Sequence, residues 1–355
     1  MRKIITFIFF FIFLILSSLF ILFNESKYSY QSVSDHFNGK SFFNPEEKKI
    51  SKKSGFFNYY LNKLKYQKHH GKTTWPEKNY SIEQLIPLDS VNDKSIHATF
   101  IGHSTFLLQF HGLNILTDPI FSERASPLRF IGPKRAVIPG IKFHQLPNID
   151  LVLISHSHYD HLDIPTIIKL HNEHQPKFIT GLGNCYYLNQ IKKLKLNCSE
   201  LDWNEGLKVF DKITVNFLPA KHWSKRMMFG RNASLWGAFA IESSLGNIYF
   251  AGDTGYSDHF IKAKIRFSSF KLAMIPIGAY KPEDFMLRYH LSPTQALKAH
   301  IELNSQKSIA MHHSTFQLSS ENYNDPINDL ELAKKEKKLS NEFIALGIGK
   351  KIIIK

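Results

Sequence analysis

Three histidines and an aspartate fall within six residues, His156-x-His158-x-Asp160-His161, directly after the run Ile149-Asp150-Leu151-Val152-Leu153-Ile154. That run has the composition of a strand buried on both faces. Behind the cluster, Asp163 is placed as a helix cap and Pro165 in a first helical turn. A strand that delivers polar side chains into a helix start leaves few folds open: strands in a sheet, with chemistry presented from their ends. In an extended segment, side chains i and i+2 project to one side, so His156 and His158 can grip a single ion. Asp160 and His161 lie past the turn and reach a second ion. Imidazole nitrogen and carboxylate oxygen are good ligands for zinc and similar divalent ions.

The strand-then-polar-tip pattern recurs three times. Residues 213–218 lead to Pro219-Ala220-Lys221-His222-Trp223-Ser224, residues 247–251 to Gly252-Asp253-Thr254-Gly255, and residues 307–311 to His312-His313-Ser314-Thr315. Two metals about 3.5–4 Å apart need a shared ligand. Asp253, flanked by glycines that let the backbone come close, suits that role, and His222 and His312 are candidate third ligands, one for each ion. Upstream, residues 96–101 and 105–110 read as paired strands broken at Gly102-His103, residues 113–117 as a third, and residues 120–147 as a long loop of the kind that carries function. His103-Ser104-Thr105-Phe106 and His313-Ser314-Thr315-Phe316 are identical tetrapeptides, which chance explains.

Hydrophobic residues at 43% and charged residues at 21% exclude a disordered chain. The formal charge of +15 admits nucleic acid or anionic lipid as a partner. Its placement favours lipid, because nine lysines against two glutamates lie between Lys40 and Lys72, behind a hydrophobic N-terminus and not around the histidines. Met1-Arg2-Lys3 precede residues 4–23, an uncharged run of the length that crosses a ~30 Å hydrocarbon core. No small-x-small cleavage site follows, so an uncleaved single-pass anchor is expected over 1–23. The basic residues before it favour a catalytic domain on the outer, periplasmic or extracellular, side. Residues 24–90 read as basic linker and lead-in, with a short helical stretch at 56–68, and residues 91–355 as the domain. Cys185 and Cys198 match neither a zinc ribbon nor a disulfide framework and read as two small buried residues, leaving the redox compartment open.

Several further runs stand in one order: Leu116-Thr117-Asp118-Pro119-Ile120-Phe121-Ser122, Arg124-Ala125-Ser126-Pro127, Gly132-Pro133-Lys134-Arg135, Leu235-Trp236-Gly237, Phe250-Ala251-Gly252-Asp253-Thr254-Gly255-Tyr256 and Ile275-Pro276-Ile277-Gly278-Ala279-Tyr280. With the histidine cluster, they resemble the metallo-β-lactamase superfamily, and within it the N-acyl-phosphatidylethanolamine-hydrolysing phospholipase D group, from about Ile96 onward. The resemblance implies an α/β (α+β) four-layer αββα sandwich. It implies that His156, His158 and His222 hold one zinc, that Asp160, His161 and His312 hold the other, and that Asp253 bridges them. The pattern His-x-x-Thr-Phe selects His312 over His313. It also implies that His290 lies near the substrate phosphate, a residue whose own sequence context is that of an exposed loop histidine. Two positions depart: Tyr289 where a glutamine is expected, and His313-Ser314 where tryptophan and glycine are usual. Both bear on the substrate pocket and not on the metals.

The chemistry so implied is phosphodiester hydrolysis. A water between two divalent cations loses a proton near neutral pH, and a phosphodiester oxygen over them is polarised. Attack at phosphorus yields phosphatidate and an N-acylethanolamine, with Asp160 or Asp253 orienting the nucleophile and His290 binding phosphate or moving a proton. The expected partners are a phospholipid substrate and the membrane surface, with no nucleic acid, and a homodimer is compatible with the chain. Tyr186, Tyr187, Trp223 and Phe229 read as core packing ahead of an acyl-chain surface. The rival functions are a hydrolase of another ester (lactone, cyclic phosphodiester or sugar phosphate), a metallo-nuclease, and a non-enzymatic metal-binding protein.

Overall fold

Along residues 105–110, neighbouring side chains go to opposite destinations. Phe106, Leu108 and Phe110 join the core between two sheets, while Leu107 joins the core beneath a helix. This is the period-two alternation of a strand buried on both faces. The computed structural model describes residues 10, 33–49, 56–76, 82–189, 194–226, 230–338 and 342–355. The first sheet has the order β14-β1-β2-β3-β4-β5-β6. Its strands are β1 (Ile96–Gly102), β2 (Thr105–Phe110), β3 (Leu113–Thr117), β4 (Leu151–Ile154), β5 (Lys177–Gly181), β6 (Cys198–Leu201) and β14 (Lys351–Ile354). The second, of order β13-β12-β11-β10-β9-β8-β7, comprises β7 (Gly206–Val209), β8 (Ile213–Leu218), β9 (Ala238–Glu242), β10 (Ile248–Phe250), β11 (Leu272–Pro276), β12 (Ser308–Met311) and β13 (Phe343–Ile344).

The main core lies between the sheets, with Phe100, Phe106, Phe217, Phe239 and Trp236 fully buried. Helix α2 (Ile164–His174) covers the outer face of the first sheet through Ile167 and Leu170 against Val152 and Ile154. On the second sheet, α4 (His259–Phe267) and α6 (Pro293–Glu302) bury Phe260, Phe267, Ala296 and Leu297. The remaining helices are α1 (Phe56–His70), α3 (Asn184–Asn189), α5 (Glu283–Met286) and α7 (Asp325–Lys337). The layers therefore run helix, sheet, sheet, helix, as the αββα expectation requires.

Strand direction is what assembles the site. β3, β4 and β5 are parallel, and β1 runs with them because both β1 and β3 are antiparallel to β2. In the other sheet β10, β11 and β12 are parallel, and β8 shares their direction because both β8 and β10 are antiparallel to β9. The C-terminal ends of β1, β4, β8, β10 and β12 carry His103, His156, His222, Asp253 and His312 in turn.

Some expectations change. The strand before the cluster begins at Leu151, not at 149. Asp163 stands at the N-cap of α2, but its carboxylate makes no capping bond and accepts from Ser122 and Thr166 side chains. Cys185 and Cys198 are joined in a disulfide, with Cα atoms 5.9 Å apart, where two independent buried residues were expected. Spacing along the chain carries no information about that separation, which is set when α3 packs on β5 and β6. Within the lysine-rich lead-in, Phe37 and Phe42 enter the main core, and α1 extends the expected helical stretch to His70. The expected membrane helix lies outside the described residues, apart from Phe10. Among the described residues no helix is long and apolar enough to cross a membrane.

Candidate metal centre

Two ligand sets meet at the strand ends. In the first, His156 Nε2 lies 2.8 Å and His222 Nε2 3.2 Å from His158 Nδ1. His222 Nδ1 donates to the Tyr289 carbonyl at 2.9 Å, which leaves Nε2 a bare acceptor. Burial holds His156 and His222 well below the ordinary histidine value and His158 at about 4, so all three rings are neutral. Neutral imidazole nitrogens gathered this closely can offer their lone pairs to a single cation.

In the second set, Asp160 Oδ2 lies 3.3 Å from His161 Nε2 and 3.4 Å from His312 Nε2. Asp253 Oδ2 is 3.2 Å from both of those nitrogens, 3.7 Å from His222 Nε2 and 3.9 Å from His290 Nδ1. Asp253 therefore faces both sets at once, as a bridging ligand must. Burial pulls His312 down, yet the Asp253 carboxylate and the contacts with Asp160 outweigh it and hold the ring at about 9. Burial also opposes ionisation of Asp160 and Asp253, but His161 and its neighbours keep both carboxyls well below the ordinary range. Five buried nitrogens, one each on His158, His161 and His290 and both of His312, have no hydrogen-bond partner, nor has Asp253 Oδ1. Buried ring nitrogens left without hydrogen bonds around two anionic carboxylates are what a pair of divalent cations would satisfy. The residues present fit the metals that the cluster implies.

Around these ligands stands a layer the sequence reading did not assign. Asp118, fully buried, accepts from Ser155 N at 2.7 Å, from Ser155 Oγ at 2.6 Å and from His161 Nδ1 at 2.6 Å. Asp118, His156 and His161 also come close enough to form a ligand trio. With both Asp118 oxygens already engaged, we assign Asp118 to orienting His161. His103 Nε2 lies 3.0 Å from Asp160 Oδ2, and its ring packs 4.1 Å from that of His312. His103, Asp118 and His312 all have left-handed backbone, at φ 59, 33 and 60°, strain of the kind that concentrates at functional sites. The one signal for His103 was its place at a strand break. Arg226, buried, donates to the carbonyls of Ser157 and Leu162 and stacks on Tyr159, clamping the loop that carries Asp160 and His161.

The lead-in reaches the site as well. Asn44 Nδ2 donates to the His222 carbonyl at 2.9 Å, and Glu47 pairs with Arg288 at 3.2 Å, two residues before His290. His313 turns away from the ligands, its ring 5.4 Å from Phe100 and its Nδ1 on Ser314 Oγ, so the choice of His312 agrees with the geometry. The two identical tetrapeptides touch: His103 N donates to Thr315 Oγ1 at 2.7 Å. Trp223 is half-buried and leans on His158 at 4.4 Å, not in the core, while Phe229 lies outside the described residues.

The β-lactamase superfamily domain matches residues 113–313, a span that includes the seven candidate ligands described above but not His103. The chain belongs to that superfamily and is a metallo-hydrolase. It is 31% identical over 338 residues to an N-acyl-phosphatidylethanolamine-hydrolysing phospholipase D of Caenorhabditis elegans, covering 88% of this chain and 92% of the relative. An uncharacterised protein of Mycobacterium tuberculosis is 36% identical over 256 residues, 69% of this chain and 67% of its own. Among solved structures, a metallo-hydrolase of Ignicoccus hospitalis matches at TM-score 0.55 and 20% identity, covering 74% of this chain and 99% of that one, which speaks for the fold alone.

Proposed function

We propose that this metallo-hydrolase cleaves N-acyl-phosphatidylethanolamine in the phospholipase D manner, with two zinc ions in the two ligand sets. The observation that carries the reading is the C. elegans relative, similar across 92% of its length and named for that activity. When bound, the ions would supply an acidified water and polarise a phosphodiester oxygen. Oxygen from water joins phosphorus, the bond from phosphorus to the ethanolamide oxygen breaks, and that oxygen leaves with a proton. Asp160 and Asp253, both held ionised, orient the attacking water. His290 is neutral, held at about 4 chiefly by burial, and its Nδ1 makes no hydrogen bond. It is free to bind a phosphate oxygen through its N–H, or to take the proton released by the attacking water and pass it to the leaving oxygen.

Trp223, half-buried on His158 and under Arg231 at 4.5 Å, offers an acyl chain an apolar wall. The disulfide favours an oxidising compartment, hence an anchored domain on the outer side of the membrane. The test is product analysis with N-acyl-phosphatidylethanolamine vesicles, with and without chelator, beside Asp253→Asn. Chelator-sensitive phosphatidate and N-acylethanolamine, absent with the variant, are expected. A protein that carries its metals and releases neither product refutes the lipid assignment and redirects the search to other phosphate esters and lactones.

A further inference from the structure

We propose that the loop tip at residues 126–131 is a membrane-insertion element that seats the rim of the metal site on an anionic bilayer. The proposal rests on the lipid reading above. Between β3 and β4 the chain makes a hairpin-like excursion. Arg124 pairs with Lys134 across its stem, Ala125 N donates to the Pro133 carbonyl at 3.0 Å, and Arg135 N to the Glu123 carbonyl at 2.8 Å. The root is fixed to the wall of the site. Ala125 packs with Ile120 and Phe316, and the buried Arg135 guanidinium donates to the Ile120 carbonyl at 2.6 Å. The same guanidinium lies 4.9 Å from the Phe316 ring, which in turn contacts His103 at 5.3 Å.

The tip is built the opposite way. Leu128, Phe130 and Ile131 are 47%, 79% and 58% exposed, three large apolar side chains within four positions. A rigidly rooted loop that holds such groups in water is the mark of a contact surface. Its charges select the partner. Arg129 is exposed between the apolar residues, Arg124 is held at the stem by the Gly132 carbonyl, and Lys134 follows, with Glu123 as the acidic neighbour. An apolar tip collared by cations matches the bilayer interface, where acyl chains take the tip and anionic headgroups meet the collar. The uncharged run at 4–23 is long enough to hold the same chain at a bilayer, so the tip meets lipid at high local concentration.

The two cysteines are bonded to each other, so a third, introduced as Phe130→Cys, accepts an environment-sensitive fluorophore alone. The control is Phe210→Cys. Phe210 is 45% exposed and precedes β8, at the end of the sheet opposite His222. With the full chain reconstituted in phosphatidylglycerol vesicles, the label at 130 should shift to the blue and be quenched by brominated acyl chains, and the label at 210 should not. Phe130→Ser combined with Ile131→Ser should raise the lipid concentration for half-maximal vesicle turnover about tenfold or more. Its turnover of a soluble phosphodiester should be unchanged. A label at 130 that stays open to aqueous iodide overturns the proposal. So does a shift that tracks protein concentration at fixed lipid, the sign of a second copy of this chain on the tip. Hydrolysis with a wet tip refutes the tip alone, whereas insertion without hydrolysis refutes the substrate and leaves the tip standing.

Discussion

Replacing Asp118 by asparagine removes one charge beside the metal ligands and leaves the side-chain shape in place. In the native site the carboxylate takes three donors, Ser155 N, Ser155 Oγ and His161 Nδ1, at 2.7, 2.6 and 2.6 Å. Asparagine keeps one oxygen for Ser155 N and turns an NH2 toward His161. The imidazole then has to accept at Nδ1, which moves its proton to Nε2, the atom that faces Asp160 and Asp253 at 3.3 and 3.2 Å. A protonated Nε2 is no ligand. Loss of an outer carboxylate of this kind costs roughly 10–100-fold in metal affinity, about 1.4–2.8 kcal/mol. The metal-free fold loses one charge-assisted hydrogen bond, about 1.5–3 kcal/mol. Competitive titration of the full chain against a chromophoric chelator reads the first number, and thermal unfolding of the metal-free protein reads the second. An asparagine variant that binds both ions as the native protein does would refute the assignment of Asp118 to His161.

Chelation itself should lower the melting temperature. Ions present at ~1,000 times their dissociation constant stabilise the fold by about 4 kcal/mol, or on the order of 10 °C for a domain of this size, so an unmoved melting point contradicts a site coupled to folding. Gly278→Ala should cost about 100-fold in turnover, since its Cβ would lie 1.9 Å from the His312 carbonyl oxygen and backbone against backbone leaves no escape except moving His312. Turnover at the native level would show that His312 has slack there. For His36, burial lowers the pKa but hydrogen bonds to Asp202 and Asp35 outweigh it, so the folded value stands above 6.5. Its contribution to stability is then complete below pH 6.5 and is lost as pH rises through the raised folded value. Denaturant midpoints of the native chain and His36→Ala should converge as pH rises from 5 to 8, and parallel curves would show that His36 contributes no such linkage.

What the sequence made legible follows its periodicities. β4 announces itself by an aliphatic run that ends in the histidine cluster, and the same strand-then-tip pattern at β8, β10 and β12 made four ligand-bearing strand ends legible. His103 and Asp118 escaped because neither lies in a cluster: each is a single polar residue at a strand end, and only sheet order brings them to Asp160 and His161. The lead-in was misleading for a different reason. Its lysines dominate its composition, while its structure is set by Phe37 and Phe42, which are 2% and 1% exposed, and by Asn44 on the His222 carbonyl. A few apolar anchors in a basic segment leave no periodic trace. The disulfide was illegible because sequence separation says nothing about whether two Cα atoms come within bridging distance.

The most direct test of the account is anomalous diffraction from crystals of the metal-loaded chain. Two peaks about 3.5–4 Å apart are predicted, one bonded to His156, His158 and His222, the other to Asp160, His161 and His312, with Asp253 touching both. A single peak, or two peaks with Asp253 on neither, would contradict the two-metal centre on which the proposed chemistry stands.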